Sequence, residues 1–137
     1  MTLSTQTSKA SYAGNGVTAA FPVTFPFIRD ADIMALLSQG GMETPLLQGT
    51  HYALSGSGEP GGGTLTMLTP PATGQTLVIR RDPAIVQELD YVENSAFPAA
   101  SHEAALDLLT MICQALDEKL GRAVLYPVST PSGEIKD

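Results

Sequence analysis

The chain has no tryptophan, one cysteine, two histidines and only seven Lys and Arg residues, set against fourteen Asp and Glu. Each shortage closes off a class of protein. Cys113 alone can form no internal disulfide, and no multi-thiol zinc site can be assembled within one chain. Seven scattered cations under a formal net charge of -7 do not make the clustered basic face that phosphate backbones require, so no nucleic-acid partner is expected. No window approaches the roughly 20 consecutive apolar residues of a membrane span. The stretch from Met1 to Lys9 lacks a basic segment followed by a long apolar run, which argues against a standard secretory signal. A soluble product made in a cytoplasm, with no membrane partner, is expected.

What is present supports a core. Hydrophobic residues make up 43% of 137 positions and charged ones 15%, enough for one domain of ordinary size with short appendages. The low charge leaves a surface rich in Ser, Thr, Gly and Gln, as in assembly proteins whose faces are partly covered by partners.

Most of the chain reads as short strands between Gly and Pro turns. Residues 1–11 are polar and aperiodic, and are expected to be an extended or disordered arm. Tyr12-Ala13-Gly14-Asn15-Gly16 is a turn signal, since Asn-Gly tolerates positive φ. Phe21, Val23, Phe25 and Phe27 then alternate with Pro22, Thr24 and Pro26, the period of a half-buried strand. Both prolines share one parity, which places this strand at a sheet edge. Ile33, Ala35 and Leu37 predict a second strand, and Thr44 to Gln48 a weaker third. Tyr52 with Leu54, Leu65 with Met67, and Leu77 with Ile79 predict three more, and Ile85 to Leu89 a further candidate. This spacing points to a small antiparallel β-sandwich or partial barrel. From Ser101, a credible N-cap, the pattern turns helical, and Gly121 and Pro127 bracket the helix end.

No arrangement carries chemistry. The glycine-rich loop Gly56 to Gly63 runs into a strand instead of a phosphate-binding helix N-terminus, so it reads as a mobile hairpin connection. His51 and His102 are expected in an exposed turn and an exposed first helical turn, because no metal-ligand spacing surrounds either. No serine stands in a nucleophile motif. Cys113 reads as a small buried residue, and Arg80-Arg81 as a solvated strand end. The candidate carboxylates for glycan cleavage, Asp82, Glu88 and Asp90, lie on one strand region with nothing to show convergence. No enzyme activity, metal or cofactor is expected.

The helix carries the clearest pattern. Leu106, Leu109, Cys113, Leu116, Leu120 and Ala123 recur at alternating steps of three and four, as the a and d positions of a heptad do. They are the predicted self-association seam. Ala105, Leu108 and Ile112 widen the apolar face, so one flank is expected to contact the β-module while the other meets sister helices.

The sequence resembles the N-terminal tail-attachment domain of bacteriophage tail fibres and tailspikes, especially of short-tailed phages. The stretches that carry the resemblance are Tyr12 to Gly16 through Phe21-Pro22-Val23-Thr24-Phe25-Pro26-Phe27, Gly49-Thr50-His51-Tyr52-Ala53-Leu54, Pro71 to Arg81 and Gln87-Glu88-Leu89-Asp90-Tyr91. The helix start at Phe97-Pro98, Glu103 and Ala105-Leu106-Asp107 completes them. Their order and spacing, more than any one piece, carry the match. The resemblance implies a homotrimeric virion protein whose β-module docks on tail proteins and whose helix starts the fibre axis. It is expected to be an anchoring domain excised from a longer fibre, or a short adaptor to which a separate fibre or spike subunit binds at the C-terminal end.

The expected division is thus an arm (1–11), a β-module (12–92), a linker (93–100), an amphipathic helix (101–125) and a tail (126–137). Thr2, Leu3, Ser4, Thr5, Gln6, Thr7 and Ser8 are the predicted tail-docking residues, since a polar arm adds little to the fold and can order on a partner. The alternative function is a carbohydrate-binding β-sandwich for host adhesion, which the absence of Trp and the presence of only four Tyr disfavour.

Overall fold

In a computed structural model, residues 7–96 and 98–129 are described. The fold is mainly β with one C-terminal helix. Its elements run β1 (Lys9–Ala13), β2 (Ala20–Val23), a 3-10 turn (Asp30–Asp32), β3 (Ile33–Gln39), β4 (Met42–Pro45), β5 (Tyr52–Ser55), β6 (Gly63–Met67), β7 (Thr76–Arg81) and α1 (Ala99–Gly121). Two antiparallel sheets form, one ordered β1-β7-β3-β4 and the other β2-β6-β5.

Alternation builds the core. Phe21, Val23, Leu65 and Met67 from the smaller sheet meet Ile33, Ala35, Leu77 and Ile79 from the larger one, and Phe25, Phe27 and Tyr52 complete the cluster. β2 pairs only with β6, so the smaller sheet ends there, and Pro22 lies on its exposed side. Phe25 and Phe27 lie beyond β2 and are fully buried, so the aromatic alternation outlasts the ladder. Burial of the phenylalanine face holds this stretch where the strand ladder no longer does.

The hairpin from β5 to β6 folds tightly. Gly58 N–H donates to the Phe27 carbonyl at 2.8 Å and Gly62 N–H to the Glu59 carbonyl at 3.1 Å. Gly62 has φ +85°, and a Cβ there would lie 2.0 Å from the Val23 carbonyl oxygen. Only glycine lets the loop lie against β2. At Asn15-Gly16, the Asn15 side-chain oxygen accepts from Val17 N–H at 2.9 Å and Thr18 N–H at 2.7 Å, closing the expected turn.

Several elements differ from the sequence reading, among them the weak third strand, expected at Thr44 to Gln48 and found at Met42–Pro45. The arm was expected to run to residue 11, but a strand begins at Lys9 and pairs with β7 from Lys9↔Arg80 to Ala13↔Thr76. Its apolar residues are few, yet Ala10 and Tyr12 pack on the core and Tyr12 O–H donates to the Pro22 carbonyl at 2.6 Å. The candidate strand Ile85 to Leu89 forms no strand. The helix starts at Ala99 with Pro98 in the cap position and no side-chain cap bond, so Ser101 lies inside it. It ends at Gly121, short of the expected residue 125. Phe97 and residues 130–137 of the expected tail lie outside the described residues.

Candidate assembly surface

The helix has two faces with different surroundings. One face is held on the β-module. Met111, Ile112 and Ala115 are buried, Met111 completely, and polar contacts fasten the C-terminal half. Lys119 Nζ lies 2.8 Å from an Asp82 carboxylate oxygen, and Lys9 Nζ lies 3.0 Å from Glu118. Arg122 reaches the same Glu118 carboxylate at 2.7 Å. The Arg122 hydrogen bond, with Lys9 beside it, holds the Glu118 carboxyl down at about 2.

Arg81 is the centre of this attachment. It is 1% exposed, which corrects its expected place at a solvated strand end. Its guanidinium donates to the Pro26 carbonyl and to the side-chain oxygen of Gln114 on α1, and it lies 5.7 Å from the Phe25 ring centroid. Burial lowers its pKa, and the nearby Asp32 carboxylate opposes the shift. Leu77, Ile79 and Arg81 share one strand parity, so the alternation itself carried the signal that Arg81 points inward.

The other face of α1 is largely open to solvent. Leu106, Leu109, Leu116 and Leu120 are 52%, 57%, 41% and 54% exposed, and Cys113 between them is exposed. Cys113 was expected to be buried. The helix is turned so that Met111, Ile112 and Ala115 face the module, which carries Cys113 round to solvent. Ala123 is exposed and lies past the helix end. Five of the six seam residues thus form one apolar stripe on α1, opposite the attached face.

The predicted tail-docking residues fare differently. Ser8 is 7% exposed and its carbonyl accepts from Arg81 N–H at 2.9 Å. It belongs to the sheet margin, which withdraws it from an exposed docking arm. Thr7 is exposed. Thr2, Leu3, Ser4, Thr5 and Gln6 lie outside the described residues.

Two of the three candidate carboxylates are ion-paired. Asp82 is taken up by Lys119 and Arg80, and Glu88 faces Arg29 at 3.8 Å. His51 lies in an exposed turn, where its Nδ1 accepts from Leu47 N–H at 2.9 Å. His102 is half-buried instead of exposed, and its ring Nδ1 shares a 2.7 Å hydrogen bond with the Tyr91 hydroxyl. That bond ties the segment before the helix to its first turns. Between them runs a groove of about 550 Å³, lined by Val86, Leu89, Tyr91, Ala105, Leu108 and Leu109 among others. Sequence reasoning missed this groove, because it took Ile85 to Leu89 for a candidate strand and not for an irregular segment beside the helix. Among the described residues no three His, Cys, Asp or Glu side chains are grouped to hold a metal, and no helix is long and apolar enough to cross a membrane.

A scan against protein-family models finds no match. A stretch of 128 residues, 93% of this chain, is 34% identical to part of the tail spike protein of Salmonella phage epsilon15. The chain is a tailspike-related domain. It spans 12% of that protein's length, so the likeness concerns one segment of a much longer polypeptide. Residues 93–96 and Pro98 lie between the β-module and the helix of this tailspike-related domain.

Proposed function

We propose that this domain is a structural part of a phage tail, the attachment domain or adaptor of a tail fibre or tailspike. In this reading the β-module docks on tail proteins, and α1 joins sister helices along Leu106, Leu109, Cys113, Leu116, Leu120 and Ala123 to begin the axis of a host-binding appendage. The observation that carries the reading is the division of α1 into a face fastened through Arg81, Asp82 and Lys9 and an opposite, exposed leucine stripe. A helix held rigidly on one side presents its other side at a fixed angle, which is what a shared axis requires. The likeness to a tail spike protein supplies the setting, and the copy number three comes from the resemblance to tail-attachment domains.

The domain turns over no substrate in this reading. Fibre or spike polypeptides at the C-terminal end and tail proteins at the β-module are its partners, and the virion tail is its location. The test is capture of tail proteins by the purified chain, alongside a glycan array and its sedimentation mass. Capture of tail proteins with a multimeric mass supports the reading. Glycan binding without tail-protein capture, or hydrolysis of capsular polysaccharide that a point substitution abolishes, overturns it.

A further inference from the structure

The helix stripe is too small to hold copies together unaided. Four leucines about half exposed offer roughly 400 Å², about half of what one partner contributes to a specific interface of standard size. The stripe also covers fewer than three heptads, short for an isolated coiled coil. A second apolar surface adjoins it. Residues 84–92 cross beside α1 without regular structure, exposing Ile85, Val86, Tyr91 and Val92 at 69%, 45%, 45% and 71%. Val86 and Tyr91, the two of these that line the groove beside α1, bring the total to roughly 600 Å², nearer the ~800 Å² share expected of one partner.

The two surfaces are continuous. Leu106 and Leu109 belong to the stripe and also line the groove of about 550 Å³ between α1 and this strap. Of the groove's other helical residues, Ser101, Ala105, Leu108 and Ile112 lie about a quarter turn round α1 from the stripe on one flank, with His102 in line with the stripe and Ala104 further round. Thr110 lies on the opposite flank. An interface recessed on one flank and plain on the other is handed. With sister helices parallel round a shared axis, the two flanks of the stripe meet different neighbours, so one copy's flank enters the next copy's groove, a head-to-tail pattern that forms a ring where its rotation closes.

We propose that the groove between α1 and the strap 84–92 receives the Thr110 flank of α1 from a second copy of this chain. The strap acts as a clamp between protomers and not merely as a connection from β7 to α1. This rests on the self-association reading above and adds what completes the interface. The groove has room for a few side chains, not for a whole helix, which fits an occupant already seated along the stripe.

The test is sedimentation of the full chain and its variants. Val86→Glu places a charge in the groove but lies outside both the helix and the stripe, and it is expected to raise the dissociation constant at least tenfold with unchanged circular dichroism. Val124→Glu, fully exposed at 101% and away from the groove, is expected to change nothing. A second arm joins Val86→Cys with Thr110→Cys in a Cys113→Ser background. The pair is expected to cross-link between chains under mild oxidation. If Val86→Glu assembles like the unmutated chain and the cysteine pair yields only monomer, the clamp is wrong while the stripe stands. If the unmutated chain is itself a monomer at tens of micromolar, where an interface of roughly that dissociation constant would show, the self-association reading fails and the clamp with it.

Discussion

Arg81 of β7 donates to Gln114 of α1 across the junction of sheet and helix. One buried side chain therefore joins three parts of the chain, since the same guanidinium holds the Pro26 carbonyl at the end of the phenylalanine run. A buried cation is costly unless its donors are met. Replacing it leaves those acceptors without it.

Arg81→Leu is expected to destabilise the domain by about 3 kcal/mol, read as a lower urea midpoint. Gln114→Ala is expected to cost less, about 1 kcal/mol, and to loosen the helix selectively. Amide exchange in α1 then quickens while that in β3 and β7 stays slow. Equal loss of protection in both would mean that helix and sheet form one cooperative unit.

Gly62→Ala tests the hairpin. The new methyl would collide with the Val23 carbonyl, 2.0 Å away, at a residue with φ +85°. A loss of about 2 kcal/mol or more is expected. Gly58 also has positive φ, but nothing lies within 4 Å of a Cβ there, so Gly58→Ala is expected to cost clearly less. Equal costs would show that backbone strain, not the clash, governs this loop.

The acid limb of stability should report Glu118. Its carboxyl is held at about 2 in the folded chain by Arg122 and Lys9, below its ordinary 4.5. A value depressed by folding stabilises the fold above pH 4.5, and that contribution is lost as pH falls from 4.5 towards 2. Lys9 and Arg122 are 39% and 54% exposed, so water and salt screen the cluster, and under about 1 kcal/mol is expected. Glu118→Gln should flatten the pH dependence in that window. An unchanged acid limb in the variant would assign the loss to other carboxylates.

Truncation separates arm from strand. Removing residues 2–6 is expected to leave thermal stability unchanged. Removing residues 2–10 takes Ser8, whose carbonyl holds Arg81 N–H, and the first two pairs of β1 with β7. A clear fall in melting temperature is expected for that longer deletion.

Orientation along the stripe can be read by cross-linking. Cys113 lies at its middle, so it would meet itself whether the helices ran parallel or antiparallel. Leu106→Cys in a Cys113→Ser background discriminates, because an antiparallel pair sets residue 106 near residue 120. Ready disulfide formation is expected, and Leu116→Asp is expected to dissociate the assembly while the β-module stays folded. A monomeric Leu106→Cys chain under oxidant would count against parallel packing.

What the sequence disclosed follows from where its signals were strong. Phe21 to Phe27 alternate so sharply that strand, burial and sheet edge were all legible. The three-and-four spacing of Leu106 to Leu120 placed those residues on one helical stripe. β1 escaped notice because Lys9, Ser11 and Ala13 fill one parity of a five-residue strand and only Ala10 and Tyr12 pack inward. Arg81 was misplaced because its charge was weighed above its parity. Ile85 to Leu89 read as a strand candidate yet form none, because a segment held against neighbouring surfaces follows their shape and not a strand period.

The pairing of β1 with β7 has a mechanical meaning. Lys9 opposes Arg80, so the chain enters the sheet and leaves it towards α1 at the same end of one antiparallel pair. A pull between the N-terminal stretch and the helix would act on that pair as on a zipper, opening one rung at a time instead of shearing all of them together. The first rung is where Ser8 meets Arg81, with Arg81 tied to Gln114 and Lys9 to Glu118. These polar contacts thus stand at the mouth of the zipper, where tension would first part the strands.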